Sequence, residues 1–182
     1  MELPWCATLG ERIARDPRIS GMLPHEATAV QCTLFTKSTE TNWAVPLHQD
    51  LSVPVARHVE TSGWSTWSEK EGQTFVQPPL SLLQEMLAIR LHIDACDANN
   101  GALRVIPGSH QLGRLNSTDV HREHQRRGEI VVSVPRGGAM LMRPLLLHAS
   151  SRASADAPRR VLHFLFGPSA LPDGIRWPRR SC

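Results

Sequence analysis

Short runs dominated by apolar and β-branched residues, or alternating between apolar and polar ones, recur along most of the chain. They cover 27–37 (ATAVQCTLFTK), 47–55 (LHQDLSVPV), 86–94 (MLAIRLHID), 101–110 (GALRVIPGSH), 129–135 (EIVVSVP), 138–144 (GAMLMRP), 145–151 (LLLHASS) and 159–167 (RRVLHFLFG). Gly, Pro, Asn or Asp clusters separate them, so each reads as a strand. Eight such runs, with no helical period between most of them, predict a mainly β antiparallel jelly roll or another double-sheet barrel. Helical spacing appears in 7–23, where Pro17 interrupts or ends a short helix because it lacks the amide hydrogen and clashes with the preceding turn. PLSLLQEML at 79–87 adds one helical turn. The longest segment without a clear pattern is 57–79, RHVETSGWSTWSEKEGQTFVQPP. Long loops in compact domains are functional or disordered, and two tryptophans argue against disorder. Trp64 and Trp67 are therefore expected either on a flap that closes over substrate, burying their apolar area only then, or in a satellite of the core. HREHQRRGE at 121–129 reads as a solvated loop.

Composition narrows the class. At 182 residues, 41% hydrophobic and 20% charged, the chain is the size of one globular domain, so 1–182 is expected to be a single unit. A net charge of +3, with basic residues spread along the chain, does not indicate a nucleic-acid partner. Cys6, Cys32, Cys96 and Cys182 form neither a CxxC pair nor a dense framework, which points to reduced thiols. No apolar stretch approaches the roughly 20 residues of a membrane helix, and the amino terminus lacks the plan of a signal peptide. A soluble, cytoplasmic protein without a membrane partner is expected. There is no tyrosine, so any mechanism that needs a phenol is excluded.

The candidate chemistry lies in the second run. On a strand, residues i and i+2 share a face, so His48 and Asp50 would project together while Gln49 points away. One imidazole and one carboxylate, with a second imidazole from elsewhere, make the facial triad of non-haem iron oxygenases. His92 and Asp94 form a rival pair, with Arg90 on the same face. Taken alone, each pair is as readily a polar strand face as half a metal site. His148 ends the apolar run GGAMLMRPLLLHASS, where an unpaired histidine would be costly. Counting runs puts His48 and Asp50 on the second strand and His148 on the seventh, neighbours in a double-stranded β-helix, whereas the His92 pair would start on the third.

At these residues the chain resembles the phytanoyl-CoA dioxygenase (PhyH) family of Fe(II)/2-oxoglutarate oxygenases. The shared features are HQD at 48–50, NGALRVIPGSH at 100–110, a glycine turn before the strand ending in HAS at 148–150, and an arginine, Arg159, eleven residues after His148. The resemblance runs from about Ala27 to Trp177. It implies a cupin-like double-stranded β-helix with a short N-terminal helical segment, using Fe(II), 2-oxoglutarate and O2. It makes His48, Asp50 and His148 the iron ligands and has Arg159 and Ser150 hold the distal carboxylate of 2-oxoglutarate. Arg159 and Arg160 must face opposite ways, and the eleven-residue spacing selects Arg159. Gln31, which shares a face with Thr33, Phe35 and Lys37, is a candidate for the cosubstrate site and as readily a structural glutamine, and Trp64 and Trp67, from their place on the long segment, are the candidates to face a small-molecule substrate if they are not satellite core.

The implied reaction is hydroxylation with release of succinate and CO2. A carboxylate at position 50 favours this over halogenation, because it fills the anionic position that Gly or Ala would leave to halide. Two departures stand out. Ala153 takes the place of an asparagine that members often carry five residues after the distal histidine, and the amino terminus is shorter than in many members, as in a short variant or one lacking helices that brace the barrel. The alternatives are a cupin-like metalloenzyme that does not use 2-oxoglutarate and a non-catalytic jelly-roll binding protein.

Overall fold

The computed structural model describes residues 3–38, 40–154 and 158–178. In chain order the elements are helices α1 (Pro4–Arg15) and α2 (Pro17–Ser20), strands β1 (Ala27–Lys37), β2 (Val45–His48), β3 (Val53–Val55), β4 (Ser65–Lys70) and β5 (Gln73–Gln77), then helix α3 (Leu80–Glu85) and strand β6 (Leu87–His92). A 3-10 turn at Ala98–Asn100 precedes β7 (Leu103–Val105), and another at Ser109–Leu112 precedes α4 (Ser117–Arg127). Strands β8 (Ile130–Val132), β9 (Ala139–Met142), β10 (His148–Ser150) and β11 (Arg159–Pro168) follow. Three sheets result, with strand orders β1-β11-β6-β9, β2-β10-β7-β8 and β3-β5-β4. The β architecture is the one expected from the pattern of runs, and the second and seventh runs do pair, as β2 and β10.

The chain divides into two compact units. One comprises Met1–Cys32, Leu51–Ala88 and Phe164–Cys182, the other Thr33–Asp50 and Ile89–His163. In the first, Val53, Val55, Val76, Leu83, Met86, Phe164 and Phe166 are buried. In the second, Ile89, Ile106, Leu145, Leu147, Ala149 and Val161 are buried, and every candidate metal ligand lies there. Removing these apolar side chains from water is the main favourable term in each unit. Among the described residues no helix is long and apolar enough to cross a membrane.

Several expectations are corrected. The run 47–55 is two strands, not one: β2 stops at His48 and β3 starts at Val53, so Asp50 lies beyond the strand end. The break coincides with the buried amide of Gln49, which turns away to bond backbone elsewhere in its unit. The segment 57–79 is largely a hairpin, β4 and β5, turning on Glu71 and Gly72. Both turn residues have positive φ, 51° and 74°, the requirement of a two-residue type I′ turn. The signal was missed because glutamate stands where asparagine or aspartate ordinarily marks such a turn. The polar run 121–129 falls mostly in α4, which Asn116 caps by accepting from the Asp119 amide, with Gly128 at its end. Its ladder of Arg and His conceals the helix because no apolar stripe marks it, although Glu123 is buried against Arg126 and Arg127.

Of its two readings, Trp64 takes the second, a satellite of the core. It is 5% exposed and its indole N–H donates to Asp173 at 3.1 Å, so its apolar area is buried already within its own unit. Trp67 is half-buried and stacks on His58 with ring centroids 4.2 Å apart. We expect Trp64→Ala to destabilise the protein by about 3–5 kcal/mol and Trp67→Ala by only about 1 kcal/mol, read from denaturant midpoints. Equal losses would show that burial does not separate the two.

Candidate functional site

His48 closes β2 and His148 opens β10, and the antiparallel register sets them directly opposite one another. Facing residues of a strand pair project to the same side, which brings the imidazole centroids to 4.2 Å. Asp50, two residues past the end of β2, is held by its amide donating to Pro144 O at 2.9 Å. Its carboxylate oxygens lie 3.5 Å from His48 Nε2 and 3.7 Å from His148 Nε2. The three candidate ligand atoms all fall within 4.8 Å of one another. Among the described residues no other group of three such side chains converges. Neither His92 nor Asp94 joins them.

The backbone decides which nitrogens point inward. His48 Nδ1 sits 2.8 Å from Pro46 O and His148 Nδ1 2.9 Å from Leu146 O. A carbonyl can only accept, so each Nδ1 carries the proton and each neutral ring turns its Nε2 electron pair toward Asp50. Two electron pairs and a carboxylate facing one another repel unless a cation sits among them, a proton or a metal. Electrostatics agree. Burial raises the Asp50 carboxyl, but His48, His148 and His163 outweigh it and hold it well below the usual carboxylate range. Contact with Asp50 raises the His48 ring, whereas burial lowers that of His148.

Gln49 fastens this geometry. Its Nε2 donates to Gly113 O at 2.8 Å and Leu145 O at 2.7 Å, and its Oε1 accepts from Leu115 N at 2.9 Å. From the other side, the buried Ser109 hydroxyl donates to Ile106 O and accepts from Leu147 N, so PGSH positions the residue just before His148. NNG has a matching role: Asp97 and Asn100 form a capping box, and Gly101 follows at φ +80°. Ala153, where an asparagine was absent, is tied down from another loop, since Asn42 donates to its carbonyl and accepts from its amide at 2.8 and 2.7 Å.

A second cluster in the same unit is cationic. Arg159 is 3% exposed and donates from Nη1 to Gly101 O. Lys37, fully buried, donates to Ser150 Oγ at 3.1 Å and to Ser151 O. Arg90 donates from Nη1 to His163 Nδ1 at 3.0 Å and lies 5.3 Å from the Phe35 ring centroid. Burial first, then repulsion from Arg159, lowers Lys37 to about 8 and Arg90 to about 10. His92, lowered to about 4 by burial and by the two arginines, stays neutral. Neither of its ring nitrogens has a hydrogen-bond partner, and the Nε atoms of Arg90 and Arg159 are also unmatched. Buried polar atoms left unpaired are costly, and such a concentration is what a polar ligand would complete. The rival pair separates: Asp94 accepts from Arg160 Nε at 2.8 Å and Nη2 at 2.9 Å, while Arg160 faces outward. Sequence reasoning set Lys37 on one strand face with Gln31, the cosubstrate candidate, and it had no signal for His163. Gln31, half-buried, and both tryptophans belong to the other unit.

The comparisons bear on this geometry. The profile of the phytanoyl-CoA dioxygenase (PhyH) family matches residues 8–161. The chain belongs to this family. Its members are 2-oxoglutarate-dependent non-haem iron oxygenases. The crystal structure of EvdMO1 is similar with a TM-score of 0.62 at 17% identity over 87% of this chain and 32% of that one. The apo form of EctD from S. alaskensis gives 0.58 at 20% identity, covering 86% and 53%. Iron-bound HygX from Streptomyces hygroscopicus gives 0.56 at 18% identity, covering 92% and 70%. These likenesses establish the PhyH-type double-stranded β-helix. The chain spans less than two thirds of the length of EvdMO1 and EctD. HygX has also been crystallised with nickel, 2-oxoglutarate and hygromycin B, and EctD with 2-oxoglutarate and 5-hydroxyectoine. No curated protein matches this chain.

Because the buried Gln49 side chain bonds three backbone groups from between two ligand residues, Gln49→Ala should cost about 2–4 kcal/mol of stability. It should also weaken metal retention, measured by dialysis followed by metal analysis. Full stability together with full metal retention would rule out this clamping role.

Proposed function

We propose that this protein is a 2-oxoglutarate-dependent iron oxygenase that hydroxylates a small organic substrate. In this reading His48, Asp50 and His148 hold Fe(II), while Arg159 and Ser150 receive the distal carboxylate of 2-oxoglutarate. The observation that carries it is the convergence of two Nε2 electron pairs and one carboxylate, with both Nδ1–H groups already committed to backbone carbonyls. That donor set of two nitrogens and one oxygen suits Fe(II) and leaves positions open. The unmatched nitrogens of Arg90, His92 and Arg159 support a polar ligand nearby.

Bound there, iron with 2-oxoglutarate and O2 supplies the oxidising power, and the cosubstrate ends as succinate and CO2. The residues of the chain prepare that chemistry. Asp50 contributes one negative charge and fills the position a halide would need, which favours hydroxylation. Its low proton affinity keeps it available as a carboxylate at neutral pH. The second bonds made by both histidines fix ring orientation and tautomer, the usual way an outer contact tunes a ligand. Arg159 offers a planar fork suited to a carboxylate. A small-molecule substrate is in keeping with the ligands seen in EctD and HygX.

Alanine at His48, Asp50 or His148 should abolish retention of Fe(II), whereas alanine at His92 or Asp94 should leave it intact. Iron retained by the His48 variant and lost from the His92 variant would reverse the assignment. Arg159→Ala should leave iron bound but weaken 2-oxoglutarate by roughly 30-fold to several thousand-fold, about 2–5 kcal/mol. Arg160→Ala, removing an exposed pair with Asp94, should do far less. The weak visible band formed when 2-oxoglutarate chelates iron, titrated anaerobically, reads both. A screen for substrate-stimulated succinate release across amino acids, acyl thioesters and other small metabolites would identify the substrate.

A further inference from the structure

Arg90 is 5% exposed, yet among the described residues its one hydrogen bond runs from Nη1 to His163 Nδ1, at 3.0 Å. Its Nε has no partner. Phe35 flanks both groups: the guanidinium carbon lies 5.3 Å from its ring centroid, and the His163 ring meets it edge-on at 5.7 Å. An apolar ring and an imidazole fix the place of Arg90 without balancing its charge. A guanidinium only donates, so His163 Nδ1 accepts and the ring proton sits on Nε2, a second donor in the same cluster. Burial first, then Arg90, pushes that ring's proton affinity down and keeps it neutral. Strands β6 and β11 thus bring together buried N–H donors without an anion to receive them.

The charge of the cluster points the same way. Lys37, Arg90 and Arg159 are all buried, and no carboxylate forms a salt bridge with any of them among the described residues. In the function proposed above, Fe(II) and the 2-oxoglutarate dianion cancel one another. Asp50, the carboxylate whose charge reaches Arg90, is committed to the metal, and one negative charge does not balance these cations. Positive charge is therefore left over once metal and cosubstrate are in place. With Arg159 engaged by the cosubstrate, Arg90 is a cation that the reaction has not yet used. Buried like charges without a counter-ion are unfavourable, and an anion placed among them reverses the sign of the interaction.

We propose that Arg90, held against Phe35 and joined by the Nε2–H of His163, receives an oxyanion of the primary substrate, so that the substrate class is a small organic acid carrying a carboxylate or a phosphate. This rests on the 2-oxoglutarate reading above. The contact is distinct from that of Arg159, which lies on β11 and donates to the Gly101 carbonyl, whereas Arg90 lies on β6 and donates to His163. An arginine that merely braces β6 against β11 leaves the site indifferent to the charge of a second ligand. An arginine that receives an oxyanion separates an acid from its amide.

The test uses Fe(II)-loaded protein saturated with 2-oxoglutarate under anaerobic conditions, titrated by calorimetry with acetate, inorganic phosphate and the neutral isostere acetamide. At least one of the two oxyanions should bind without removing the visible band of the iron–cosubstrate complex, and acetamide should bind at least about tenfold more weakly. Arg90→Gln should weaken the bound oxyanion by about 10- to 100-fold while changing 2-oxoglutarate affinity by less than about threefold. Arg90→Lys, which keeps the charge, should restore part of the loss. The wild-type comparison stands even where the glutamine variant does not fold. Equal binding of acetate and acetamide, an oxyanion that displaces 2-oxoglutarate, or a folded Arg90→Gln that loses 2-oxoglutarate as strongly as the oxyanion overturns the proposal. Wild type that binds 2-oxoglutarate but neither oxyanion overturns it too and leaves the cosubstrate reading standing. Iron-loaded protein that binds no 2-oxoglutarate overturns the cosubstrate reading itself, and this inference with it.

Discussion

The pairing of β2 with β10 is the constraint on which the candidate metal centre depends. Because His148 stands opposite His48, a slip of one residue would turn one of the two rings to the other face of the sheet and dissolve the cluster. The strands are short, four and three residues, and their register shifts between His148 and Ser150. So few ladder bonds are a weak guarantee of register. Contacts from outside the pair supply the rest: Gln49 fastens one strand end, and Ser109 holds the backbone leading into the other.

This division of labour explains why NGALRVIPGSH contributes no candidate metal ligand and yet matters to the site. Its first residues, through the Asn100 cap and the turn at Gly101, present a carbonyl to Arg159 and leave room for Lys37. Its last residues carry the serine that receives the Leu147 amide. Both ends of one short segment thus set the positions of groups that the chain supplies from β1, β10 and β11. A polar residue there acts by where it directs backbone, which is a different chemical task from touching a ligand.

How much was readable in advance follows from the same distinction. The strand runs were legible because burial on one face leaves apolar alternation, and His48, Asp50 and His148 because their spacing could be set against a strand count and a family pattern. Glu71–Gly72 concealed a hairpin because its turn chemistry is atypical, and α4 lacks the apolar stripe that announces a helix. Trp64 stayed open between a flap and a satellite of the core because a tryptophan in an unpatterned segment looks the same whether it is waiting for a partner or already has Asp173. Lys37 and Gln49 were hardest. A buried polar side chain is identified by partners distant in sequence, 113 residues away for Lys37 and Ser150, and local pattern carries no trace of them. The backbone of Ala153, likewise, is bonded by Asn42, from a place no motif would search.

The buried charges of Lys37, Arg90 and Arg159, none of them in a salt bridge among the described residues, have a further consequence for work at the bench. Mobile ions screen exposed charges over about 8–10 Å of water but act only weakly on charges buried inside a protein. Raising the concentration of sodium chloride should therefore matter less than the shape of the anion chosen. Phosphate, sulfate or citrate, each able to accept several hydrogen bonds at once, are suited to occupy such a cluster. In these buffers an apparent dissociation constant would describe an exchange of one anion for another, and the choice of buffer becomes a choice of reference state.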